Sequence, residues 1–167
     1  MTLKGLTTII VPAVVLAVGV TALALSLSGR LPTVAAASNA QNGRLHVTKE
    51  CSQYSGLDGS FCTITSSNLP EIKVDSTNPA NSTKVYYDQA GNTPTNGMDS
   101  NVVLYVGIGD WAVGRCTIDG STGNGLCTFS DGIGKFAGFS ARVNVTYLGG
   151  VNYAWDGTYS FNPLPGR

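Results

Sequence analysis

From Arg44 onward the apolar positions of this chain recur every second residue, the spacing of strands rather than helices. In Phe139-Ser140-Ala141-Arg142-Val143-Asn144-Val145-Thr146-Tyr147, every odd position is apolar and every even one polar or charged. In the next stretch Val151, Tyr153, Trp155, Tyr159 and Phe161 share one face, while Asn152, Asp156, Thr158 and Ser160 share the other. Antiparallel strands with one buried and one wet face read this way. Leu148-Gly149-Gly150 between them supplies a hairpin turn.

Six further strands are predicted at 44–50, 60–65, 83–89, 101–108, 111–118 and 125–130, making eight in all. Residues 66–82 and 90–100, rich in Ser, Asn, Thr and Pro, read as longer loops. No amphipathic stretch long enough for a helix follows the N-terminal segment. Eight antiparallel strands must hide their edges, so a closed barrel or a two-sheet sandwich is expected.

The N-terminus carries a different pattern. Met1 to Lys4 is short with one positive charge, Gly5 to Leu27 is predominantly apolar, and small residues follow at Val34 to Ala40. This is the layout of a secretion signal over 1–37, cleaved after Ala37 or Ala40. The apolar run is also nearly long enough to stay as an uncleaved anchor. Residues 38–43 read as a flexible lead-in, and 44–167 as one domain. Export to an oxidising compartment, secreted, periplasmic or at the cell surface, follows from either outcome.

The cysteines agree with export. Ten residues separate Cys51 from Cys62, and ten separate Cys116 from Cys127. Four cysteines allow three pairings. Each nearby pair brackets a glycine-containing turn, and folding the segment about its midpoint sets the two cysteines opposite each other. The expected bridges are therefore Cys51–Cys62 and Cys116–Cys127. A zinc site built from the same four residues lacks any C-x-x-C knuckle.

Composition narrows the function. Formal charge is balanced, 10 basic against 10 acidic residues, with no basic run. Removing Lys4 and Arg30 with the leader leaves 8 against 10, about −2. Nucleic-acid binding has no electrostatic footprint in such a chain. A membrane contact is expected only through an uncleaved leader.

Candidate chemistry is sparse. His46 is the single histidine, and no G-x-S-x-G elbow accompanies it, so it reads as a strand-surface residue. Asp58, Asp119, Asp131 and Asp156 each precede a glycine, which is turn chemistry rather than the paired carboxylates of a glycosidase. Asp156-Gly157 interrupts a strong strand, so Gly157 marks a bulge or a close backbone approach. No calcium-loop spacing, dinucleotide fingerprint or Walker loop occurs, and neither metal nor nucleotide cofactor is expected. The aromatics are the best functional handle. Tyr86, Tyr87, Tyr105, Trp111, Tyr153, Trp155 and Tyr159 lie in or beside strands. Inside a barrel, Tyr105, Trp111, Tyr153, Trp155 and Tyr159 would line a cavity for an apolar ligand. The blander reading is that they fill the core.

The segment Cys127-Thr128-Phe129-Ser130-Asp131-Gly132-Ile133-Gly134-Lys135-Phe136-Ala137-Gly138-Phe139 resembles the allene oxide cyclase-like barrel shared with the dirigent proteins, nearest to its secreted bacterial branch. The resemblance spans roughly residues 83–161 and is most specific at the Gly-x-Gly-x-Phe turn. It implies an eight-stranded, calycin-like antiparallel barrel whose hydrophobic cavity holds an apolar substrate and steers a cyclisation or coupling. Gly132, Gly134, Phe136 and Gly138 carry over as turn and packing positions. No catalytic residue carries over, and paired cysteines are a departure from the plant enzymes.

The expectation is an exported barrel that binds a small apolar molecule in a central cavity, with binding ahead of turnover. The alternative is a β-sandwich interaction module, adhesin-like or inhibitor-like, without such a cavity.

Overall fold

A computed structural model of the chain describes residues 41–89 and 97–162. The expected signal segment at 1–37, both cleavage points and the start of the lead-in lie outside the described residues.

Eight strands form: β1 (Gln41–Glu50), β2 (Phe61–Ser67), β3 (Lys84–Tyr87), β4 (Met98–Gly107), β5 (Asp110–Ile118), β6 (Gly125–Ile133), β7 (Phe139–Gly149) and β8 (Asn152–Phe161). Each pairs antiparallel with its neighbour in sequence, and β1 closes onto β8, giving a closed barrel in the order β1-β2-β3-β4-β5-β6-β7-β8. Closure satisfies every edge, which an open sheet of this size leaves exposed. Of the two architectures expected, the closed barrel is the one that forms. The lead-in needs correction too: Gln41, Asn42 and Gly43 pair with Phe161, Ser160 and Tyr159, so β1 begins before Arg44.

Alternation sends one residue in two inward. Leu45 and Val47 of β1, Ile64 of β2, Val85 of β3, Val102 and Leu104 of β4, Val143 and Val145 of β7 and Trp155 of β8 are all buried. Each such aliphatic side chain contributes about 1.5–3 kcal/mol by leaving water. Both bridges form as expected, Cys51–Cys62 and Cys116–Cys127. Cys116 stands directly across from Cys127 between β5 and β6, fully buried in the barrel interior.

Aromatic rings and loops close one end of the barrel. A short 3-10 turn, Gly134–Phe136, drops Phe136 into the interior against Phe139, with ring centres 5.2 Å apart. Phe139 in turn packs on Phe161 at 5.1 Å and Phe129 at 6.2 Å. Gly134 has a φ of +61° and Gly138 of +76°, a region that disfavours side chains. A β-carbon on Gly132 would lie 2.6 Å from the Phe136 carbonyl oxygen. The Gly-x-Gly-x-Phe segment therefore works as turn and plug. Gly157 marks a close approach rather than a bulge: it pairs in register on both sides, and a β-carbon there would strike the Arg142 carbonyl.

Candidate functional site

Among the described residues, the opposite end of the barrel is recessed. There the β1–β2 and β5–β6 loops and the first residues of β4 and β8 surround a pocket of about 450 Å³. Its walls include Tyr54, Tyr87, Met98, Ile118 and Tyr153, the Cys51–Cys62 bridge and, at the inner wall, Lys49.

Lys49 gets there by arithmetic. Leu45, Val47 and Lys49 are successive odd positions in the second half of β1, Cys51 follows on the same parity just past its end, and all four are buried. The lysine sits directly across from Tyr153 of β8, beside a register shift in the β1–β2 ladder between Thr48 and Lys49. It is 3% exposed. Its Nζ donates to the Tyr87 hydroxyl at 2.6 Å. The same nitrogen lies 4.7 Å from the Trp155 ring centre, 5.3 Å from that of Tyr87 and 5.6 Å from that of Tyr153.

Two effects compete over its charge. Ring faces attract a desolvated ammonium by about 2 kcal/mol or more. Stripping water from the cation costs several kcal/mol, and no salt bridge from a carboxylate offsets it among the described residues. Desolvation wins, and burial lowers the Lys49 amine to a pKa of about 7. Near neutral pH a substantial fraction of it is therefore the free amine. Burial pushes the Tyr87 phenol well above its ordinary value, so that group stays protonated. Tyr54 and Tyr153 are raised in the same direction, chiefly by burial. Tyr54 packs edge-on against Tyr87 at 5.0 Å, and Tyr147 packs against Tyr153 at 5.3 Å.

Asp119 is the carboxylate on the pocket rim, and its own loop holds it. It accepts from the Ser121 hydroxyl at 2.5 Å, the Ser121 amide at 2.7 Å and the Thr122 amide at 3.3 Å. Those hydrogen bonds, the Ser121 hydroxyl first, hold its pKa below the usual carboxylate range. Among the described residues no group of three or more His, Cys, Asp or Glu side chains assembles as a metal site.

The aromatics expected to share one cavity are dispersed. Tyr153 lines the pocket. Trp155 is fully buried in the layer beneath it, and its indole N–H finds no acceptor among the described residues. Tyr159 lies toward the plugged end, packed on Phe161 at 5.9 Å, with its hydroxyl accepting from the Gln41 amide at 3.2 Å. Tyr105 and Trp111 stand outside. Val102 and Leu104 are among the inward residues of β4 and Ala112 among those of β5, so the adjacent Tyr105 and Trp111 face away from the core. Tyr105 opposes Trp111 across those strands and packs on Tyr86 at 6.2 Å, which packs on Phe61 at 5.3 Å. The central cavity is corrected accordingly: side chains occupy the middle of the barrel, and the pocket lies at its mouth.

Lys49 and Tyr54 were missed from the sequence. A signal for Lys49 exists, since the alternation that turns Leu45 and Val47 inward also turns Lys49 inward. His46 is on the surface, as expected, with Nδ1 2.6 Å from Asp156 Oδ1 directly across β1 and β8.

Compared with family models, with curated proteins and with solved structures, the chain matches none.

Proposed function

We propose that this chain is an exported barrel that binds a small, largely apolar molecule in the pocket at its unplugged end, with Lys49 meeting the ligand's polar group. The observation that carries this reading is a buried amine, walled by aromatic rings, at the base of a pocket of about 450 Å³. Ligand sites are commonly apolar clefts with a few placed polar groups. The two disulfides support export, because such bridges persist in oxidising compartments. The closed eight-stranded barrel and its Gly-x-Gly-x-Phe plug support a place among the calycin-like, allene oxide cyclase-like barrels. In the finer form of the reading, the pocket walls steer a cyclisation or coupling of the bound molecule.

The neutral dye N-phenyl-1-naphthylamine tests the binding. Trp111→Phe leaves Trp155 as the single tryptophan of the chain, beneath the pocket. Saturable binding at one site per chain, with quenching of Trp155 emission, is expected. Absence of saturable binding overturns the proposal.

A further inference from the structure

We infer that Lys49 is a covalent attachment point: its side-chain amine condenses with the carbonyl group of an apolar aldehyde or ketone seated in the barrel mouth, forming an imine. The inference rests on the pocket reading above and adds to it the chemical class of the ligand.

Three observations carry it. The amine lines a pocket wide enough for an aromatic or branched hydrocarbon, and its surroundings are rings rather than carboxylates. A lysine at such a position is otherwise a costly choice, since Met or Leu would fill the same inward site of β1 without desolvating a charge. Nucleophilic lysines are made by this kind of apolar burial, which leaves the nitrogen lone pair free near neutral pH. Finally, the Tyr87 hydroxyl is 2.6 Å from Nζ and fully enclosed, placing a neutral phenol where a proton must move.

The chemistry balances without a co-reactant. The Nζ lone pair attacks the carbonyl carbon, a C–N bond forms, and the carbonyl π pair moves to oxygen. A proton passes from nitrogen to that oxygen through the Tyr87 hydroxyl, giving a carbinolamine. The nitrogen lone pair then expels the C–O bond while the remaining N–H proton is carried to the departing oxygen, which releases water and leaves the neutral C=N bond. Tyr87 is the proton carrier in both transfers. The groups facing this centre are Tyr54, Tyr87 and Tyr153, with Asp119 at the rim tied to its own loop.

The test uses the full chain, 2-naphthaldehyde and sodium cyanoborohydride, which reduces an imine to a stable amine. Peptide mapping after brief treatment at pH 7 is expected to find the naphthylmethyl group on Lys49, at least about tenfold ahead of Lys73, Lys84 and Lys135. Tyr87→Phe is expected to slow Lys49 adduct formation by at least about tenfold while the exposed Lys73 and Lys135 react as in the parent chain. Lys49→Arg and Lys49→Met, checked for folding by thermal melting, should abolish the preferred adduct. If the dye binds but Lys49 is modified no faster than the surface lysines, the covalent inference fails and the pocket reading stands. If neither the dye nor the aldehyde engages the mouth, both fail.

Discussion

The backbone of Gly138 runs so close to Asn162 that a β-carbon on the glycine would strike the Asn162 carbonyl oxygen. The contact is held by the Asn162 amide donating to the Gly138 carbonyl at 2.9 Å. It ties the end of β8 to the turn that plugs the barrel.

Gly138→Ala should therefore be costly for two separable reasons. The φ of +76° strains any β-carbon, and the Asn162 carbonyl leaves it no room. Gly56 has the same φ of +76° but nothing within 4 Å of its virtual β-carbon. Gly56→Ala is expected to lose about 1 kcal/mol and Gly138→Ala about 3 kcal/mol or more, read by urea denaturation. Equal losses would show that backbone conformation alone sets the requirement.

How far the sequence revealed this architecture differs between fold and site. All eight strands were legible, because a barrel needs alternation and β7 and β8 alternate almost without exception. The hairpin bridges were legible for a related reason: equal spacing about a glycine turn places two cysteines in one cross-strand position. The site was not legible, for two physical reasons. In β4 the run Val102-Val103-Leu104-Tyr105-Val106 is apolar on both faces, so periodicity cannot say that Tyr105 points outward. In β1 the reverse holds: a lysine reads as a solvent residue even where its parity sends it into the interior.

The exterior placement of Tyr105 and Trp111 yields a contrast. Tyr105→Ser and Trp111→Phe should leave N-phenyl-1-naphthylamine affinity within about twofold of the parent, since neither ring lines the pocket. Tyr153→Ser removes a pocket wall and should weaken binding by about tenfold or more, equivalent to about 1.4 kcal/mol. Fluorescence titration of the three variants measures this. A larger effect from Tyr105 than from Tyr153 would move the site to the outer face.

The two bridges should open in order. Cys116 and Cys127 are both fully buried, whereas Cys51 is 9% exposed on the pocket wall. Under native conditions dithiothreitol is expected to open Cys51–Cys62 first, with Cys116–Cys127 protected until the barrel unfolds. Timed alkylation and peptide mapping report the order. Replacing either pair with alanines should cost about 3 kcal/mol, the loop entropy of 11 residues.

Lys49 should also make stability depend on pH in an unusual direction. Its amine titrates at about 7 in the folded chain against an ordinary value of 10.5, so between those values the unfolded chain binds the extra proton. Stability then rises with pH, by about 3 kcal/mol between pH 7 and pH 9.5, and is insensitive to this group below its folded value. Above the ordinary phenol range the trend reverses, because Tyr87 resists ionisation when folded but not when unfolded. Lys49→Met removes the rise while leaving the Tyr87 hydroxyl without its amine partner, a cost of about 1–3 kcal/mol. Urea denaturation of parent and variant at a series of pH values separates the two terms. The parent curve should climb through pH 7–9.5 and the variant curve should stay flat. A parent curve that is flat or falls over that range would mean that Lys49 keeps its full charge inside the barrel.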